Sequence, residues 1–133
     1  MKTVLDMSFT TELVMVDISI WNRSVSNFSQ MPITVDTGAS VTTVSSDILH
    51  KLGYDISSGK VRRVITASSV EYVRSVIIDK LRLGAIEIED VEVYAHTFPE
   101  SSFSLGVLGL NVLRNFDVTL LFSKKRIEII QTC

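Results

Sequence analysis

Asp36 is the residue around which chemistry can be built. It stands in Met31-Pro32-Ile33-Thr34-Val35-Asp36-Thr37-Gly38-Ala39-Ser40, where a short apolar stretch ends in a carboxylate, a hydroxyl, a glycine and two small residues. Ile33 and Val35 face one side of a strand and Thr34 the other, as the two-residue period requires. Asp36 then falls where the strand runs out, with little side-chain bulk after it. Gly38 permits a turn or close backbone approach that a Cβ forbids. Thr37 supplies a hydroxyl that can hydrogen-bond across the turn. Asp-Thr-Gly is also ordinary turn chemistry between strands, so these residues alone leave both readings open.

A second segment narrows the choice. Leu105-Gly106-Val107-Leu108-Gly109-Leu110-Asn111 is an apolar run broken by two glycines. Glycine weakens a strand interior, so another backbone packing closely against this segment explains both. Other candidate chemistry is thin. His50, His96 and the lone Cys133 make no zinc ligand set. Cys133 at the chain end has no evident base beside it. Lys124-Lys125-Arg126 reads as a solvated hairpin turn rather than a phosphate site.

The order of strand, Asp36-Thr37-Gly38-Ala39, strand, helix, hairpin, Leu-Gly strand and helix, from Glu12 to Ile130, resembles the retropepsin-like aspartic proteases. The resemblance implies an all-β fold, a small closed barrel with one or two short helices. It also implies peptide hydrolysis by a water held between two carboxyls that share one proton, since like charges at ~3 Å cannot both ionise. Of the other aspartates (Asp6, Asp17, Asp47, Asp55, Asp79, Asp90 and Asp117) none precedes Thr-Gly. The chain therefore encodes half a site, and a two-fold homodimer completes it.

Further roles follow from the resemblance. Asp36 is catalytic, and Thr37 and Gly38 support the loop. Gly38, Ala39 and Ser40 meet the substrate backbone. Thr66 to Val70, with Ala67, Ser68 and Ser69 at the tip, form a closing flap. Leu105 and Val107 line subsites with an apolar preference. No metal or other cofactor is implied. This chain has Ser40 and Leu110 where viral members carry an acid and an arginine, and its flap tip lacks glycine. It looks more like cellular and bacterial-type members. The alternative is a non-catalytic module that keeps the fold for dimerisation or peptide capture.

The elements that must position Asp36 follow from pattern. Residues 1–133 suit one domain, and their 17 Val and 13 Ile favour strands. Glu12 to Trp21 alternates as a half-buried strand, and Asn22 to Gln30 reads as a turn. Val41 to Val44 is β-branched throughout and reads as a strand. Ser45 or Ser46 caps a short helix running through Leu52 to Gly53. Asp55 to Lys60 is a turn, and Val61 to Val76 folds as a hairpin about Thr66-Ser69. Ile77 to Leu83 and Ile86 to Ala95 are strands about Gly84-Ala85, the second with one step out of phase that a turn or a bulge explains. His96 to Ser104 is a loop and Asn111 to Phe116 a helix. Asp117 to Phe122 and Arg126 to Ile130 form a last hairpin.

Thirteen basic and 15 acidic side chains give a net charge of −2, no footprint for nucleic acid or an anionic membrane. No run reaches the roughly 18 apolar residues of a membrane span. Met1 to Met7 meets an acid too early for a secretory signal, and a single cysteine suits a reducing compartment. The expected location is cytoplasmic.

Overall fold

A computed structural model describes residues 1–9, 13–65, 67–98 and 105–132. The strands are β1 (Lys2–Asp6), β2 (Met15–Asn22), β3 (Asn27–Val35), β4 (Thr43–Ser45), β5 (Lys60–Ile65), β6 (Val70–Leu83), β7 (Ile86–His96), β8 (Gly106–Leu108), β9 (Asp117–Leu121) and β10 (Arg126–Ile130). Two short helices, α1 (Ser46–Lys51) and α2 (Leu110–Leu113), interrupt them.

The neighbour order β2-β3-β8-β4-β7-β6 closes on itself because β2 also pairs with β6, through Ser19–Arg82 and Ile20–Leu81. The result is a six-stranded barrel, with β5 continuing from β6 as the outer strand of a hairpin. Closure hides the unpaired edges that an open sheet leaves. Inside sit Ile18, Ile20, Ile33, Ile78, Leu81 and Leu108, each about 1% exposed or less. A second sheet, β1-β10-β9, packs Leu5, Ile127 and Ile129 onto the same core.

Local sequence accounts for much of this. In β2 the buried Val16, Ile18 and Ile20 alternate with Asp17 and Ser19, as expected, although the strand begins at Met15 and Leu13 is exposed. Glu12 lies outside the described residues. The Ser45 hydroxyl caps α1 by accepting from the Ile48 N–H, and Gly53 ends the helix at φ 88°.

Five points differ from the reading of the sequence. Asn22 to Gln30 is not one turn: β2 and β3 run on as a hairpin to Asn22–Asn27, turning at Arg23–Ser26 with Ser26 at φ 51°. Asn22 there accepts from the Ser24 N–H, which gives the polar residues a turn to make. Ile77 to Leu83 is no separate strand but the second half of a 14-residue β6. The out-of-phase step inserts no residue, since Ile78 faces Val91 and Lys80 faces Glu89 in one register. Both strands change faces there, with Asp90 at φ 53° and the Asp79 N–H donating to the Tyr54 hydroxyl. Finally, β1 is an additional strand, tied to the Gly84 turn by a bond from the Ala85 N–H to the Thr3 hydroxyl. The helix expected over Asn111 to Phe116 begins one residue earlier and is a single turn. Pro99 to Ser104 lie outside the described residues.

Candidate active site

β3 delivers Asp36 to the point where it runs parallel to β8, with Thr34 beside Val107 and Val35 beside Leu108. The Asp36 N–H donates to the Leu108 carbonyl at 3.1 Å, so the carboxylate stands one residue past the last strand pair. Its carboxylate accepts from the Gly38 N–H at 2.9 Å, and the Ala39 N–H closes the turn on the Asp36 carbonyl. A Cβ on Gly38 would stand 3.2 Å from that same carboxylate oxygen. Asp36 is half-buried, whereas Thr37, Gly38 and Ser40 are exposed.

The loop is fastened from the far side by the Gly109 segment. Leu110 and Asn111 donate their N–H groups to the carbonyls of Ala39 and Ser40, at 2.8 and 3.1 Å. First-turn N–H groups of a helix have no partner within it; here the Asp36 loop supplies them. Where viral retropepsins would carry an acid and an arginine, Ser40 and Leu110 are joined to this arrangement through the backbone instead. A Cβ on Gly109 would come within 2.8 Å of the Ala39 carbonyl oxygen and of the Val41 carbonyl carbon. On Gly106 it would run into the Thr43 carbonyl oxygen. Close approach of another backbone thus explains both glycines.

Two residues missed in the sequence complete the clamp. Thr42 is fully buried, and its hydroxyl accepts from the Gly109 N–H while donating to the Asn111 amide oxygen. Asn111 also accepts from the Thr42 N–H and donates to the Glu92 carbonyl, each at 2.8 Å. One side chain therefore joins α2, the strand after Asp36 and β7. The available signal was an amide three residues past a glycine-interrupted strand, too weak to single out.

The β5–β6 hairpin presents Val64, Glu71 and Val73 to a groove of about 220 Å³, whose other wall is Thr43, Tyr94, His96, Phe98 and Val107. Val107 lines this groove, which contains no residue of the Asp36 loop. Leu105 is partly buried against the core and gives its carbonyl to the Ser45 N–H. Ala67, Ser68 and Ser69 are exposed at the hairpin tip, and Thr66 lies outside the described residues. Tyr94 and His96 could have been found as the outward members of the Val93–Ala95 alternation in β7. A larger depression, about 380 Å³ and lined by Arg23, Lys60, Arg62 and Glu92 among others, contains no residue of the Asp36 loop.

Residues 23–115 match the family model described as "gag-polyprotein putative aspartyl protease". The chain belongs to the retropepsin-like aspartic protease family. A crystal structure of a retropepsin-like aspartic protease from Rickettsia conorii is similar, with a TM-score of 0.70 at 15% identity over 97% of this chain and 89% of that one. At that identity the likeness speaks to fold, and the all-β barrel with two short helices is the retropepsin-like one. No curated protein matches the sequence. Among the described residues, no helix of this family member is long and apolar enough to cross a membrane.

Proposed function

We propose that this chain is a homodimeric aspartic endopeptidase acting in the cytoplasm, each subunit giving one Asp36 to a shared site. The observation that carries this reading is the carboxylate itself. It is half-buried on a turn braced through Ala39, Ser40 and Thr42, the order a catalytic group needs to keep one geometry. The ionised member of the pair acts as general base on a water between the two carboxyls, and the protonated member polarises the scissile carbonyl. Thr37 links the two loops, and the Gly38 carbonyl receives the substrate backbone. The β5–β6 hairpin closes over the peptide and excludes water. The apolar groove beside Val107 favours apolar side chains near the cleaved bond.

A second reading is a non-catalytic peptide-binding or dimerisation module, favoured by one observation: Ala67-Ser68-Ser69 offers no glycine where the hairpin must flex. Incubation with a diverse peptide mixture, with and without pepstatin, separates the two. A pepstatin-sensitive set of cut sites that disappears in Asp36→Asn is expected; peptide binding without cleavage overturns the enzymatic reading.

A further inference from the structure

We infer that β5 is a docking edge, which takes up an extended acidic segment of another protein as an added antiparallel strand. The inference does not depend on whether Asp36 is catalytic. β5 is the last strand of its sheet, and among the described residues it pairs only with β6. In an antiparallel pair alternate residues exchange their hydrogen bonds, so the others turn N–H and C=O groups to the open edge. The hairpin that carries this edge is basic within an acidic chain. Residues 60–75 hold Lys60, Arg62, Arg63 and Arg74 against the single acid Glu71, whereas the whole chain has 13 basic and 15 acidic side chains. Arg62 is engaged with Glu92 at 3.2 Å. Among the described residues, Lys60 and Arg63 have no carboxylate partner.

The two faces of the strand offer a ligand different things. Val61, Arg63 and Ile65 share the face away from the groove with Val70, Tyr72 and Arg74 of β6, and its four apolar members are 52–71% exposed. A free edge beside so much apolar surface is what an added strand covers. Lys60 and Arg62 lie on the other face, in the lining of the depression of about 380 Å³. Its two carboxylates already have donors: Glu92 accepts from Arg62 and Ser75, and Asp55 accepts from Ser57. Arg23, also in that lining, is held by Asp79. Lys60 is the charge left for a ligand. A second copy of β5 is a poor occupant, because self-pairing sets its cations against one another. A strand of opposite sign fits instead. Its positions facing Ile65 and Val61 are apolar, the one between them that faces Arg63 is acidic, and the one facing Lys60 is acidic again. The pattern is apolar-x-acid-x-apolar-acid.

An end-blocked, fluorescein-labelled peptide Ile-Thr-Glu-Thr-Val-Glu tests this on the full chain by fluorescence anisotropy. Saturable binding is expected, with slowed hydrogen exchange at alternate β5 amides. Arg63→Glu and Lys60→Glu should each weaken it at least about tenfold, with unchanged circular dichroism spectra. A peptide with lysine in place of its first glutamate should bind Arg63→Glu better than it binds wild type. That reciprocal swap separates lost pairing from lost folding. N-methylation of the peptide amides that meet β5 keeps the charges and removes the donors, so it should abolish binding. Undiminished binding of the N-methylated peptide, or displacement of the peptide by anionic phospholipid vesicles, means a cationic surface read by charge alone and overturns strand addition. A wild-type chain that shows no saturable binding overturns the docking edge altogether.

Discussion

The amide oxygen of Asn111 accepts two hydrogen bonds from Thr42, one from its backbone N–H and one from its hydroxyl, both at 2.8 Å. Thr42 is buried, so neither donor has water to turn to. Asn111→Ala leaves both unpaired and strips the Glu92 carbonyl of its donor as well. A buried polar group left unsatisfied costs about 1–3 kcal/mol, so the variant should lose roughly 2–4 kcal/mol of stability in urea unfolding. Asn111→Asp keeps the acceptor and should lose less. Equal stability of Asn111→Ala and wild type would remove the clamp from the account.

Gly109 and Gly106 meet backbone, not side chains, so no rotamer change can make room for a Cβ. In Gly109→Ala the methyl group presses on Ala39 and Val41, which hold the turn carrying Asp36. Its effect should fall on turnover, with a stability loss of about 1–3 kcal/mol from overpacking. In Gly106→Ala the clash with Thr43 lies inside the β4–β8 pairing, and the fold itself should be lost or strongly destabilised. Thermal melts beside activity per folded molecule distinguish the two. A Gly109→Ala protein of normal turnover would show that the loop tolerates movement.

The parts of this fold legible in the sequence were local. The alternation of β2 and the Ser45 cap depend on neighbours within a few residues, and Gly106 and Gly109 stood out because glycine has little other reason to interrupt an apolar strand. What escaped was set by distant contacts. β1 contributes only Thr3 and Leu5 to the core-facing rows, and its partner β10 lies at the other end of the chain. Asn22 and Asn27–Gln30 have a turn-like composition but are drawn into strands by the register that β2 and β3 share. The Thr42–Asn111 clamp spans 69 positions, and no spacing rule connects a threonine to an asparagine so far away. Tyr94 and His96 enter the groove wall only because β6 pairs with β7 through Arg74–Ala95 and sets the distant Glu71 and Val73 in the same groove.

Arg23 and Asp79 form a bidentate pair at 2.7 and 2.8 Å on the outside of the barrel. The Arg23 hydrogen bond, aided by its charge and that of Lys80, holds the Asp79 carboxyl below its ordinary value. The folded state therefore binds this proton less tightly than the unfolded one. The resulting stability is present above the unfolded value of about 3.9 and is lost as pH falls through the folded value. Both side chains are over a third exposed, at 47% and 36%, so solvent screening limits the pair to less than about 1 kcal/mol. Asp79→Asn should cost that small amount at pH 7 and converge on wild type towards pH 3. A gap that widens on acidification contradicts this assignment.

Asp36→Asn keeps the oxygen that accepts from Gly38 but removes the ionisable group, so cleavage should vanish while the fold remains. Mixing this variant with wild type then tests whether the site is shared. After free subunit exchange in an equal mixture, random pairing leaves about one quarter of dimers with two aspartates and about half with one. A single carboxyl cannot serve as base and acid at once. Only half of the wild-type chains keep a wild-type partner, so activity should fall to roughly half of that from the same wild-type chains alone. Dilution below the dimer constant should lower activity per mole for the same reason. A site complete within one chain would lose nothing on mixing. That outcome, with exchange verified by mass-tagged subunits, would end the shared-carboxylate mechanism.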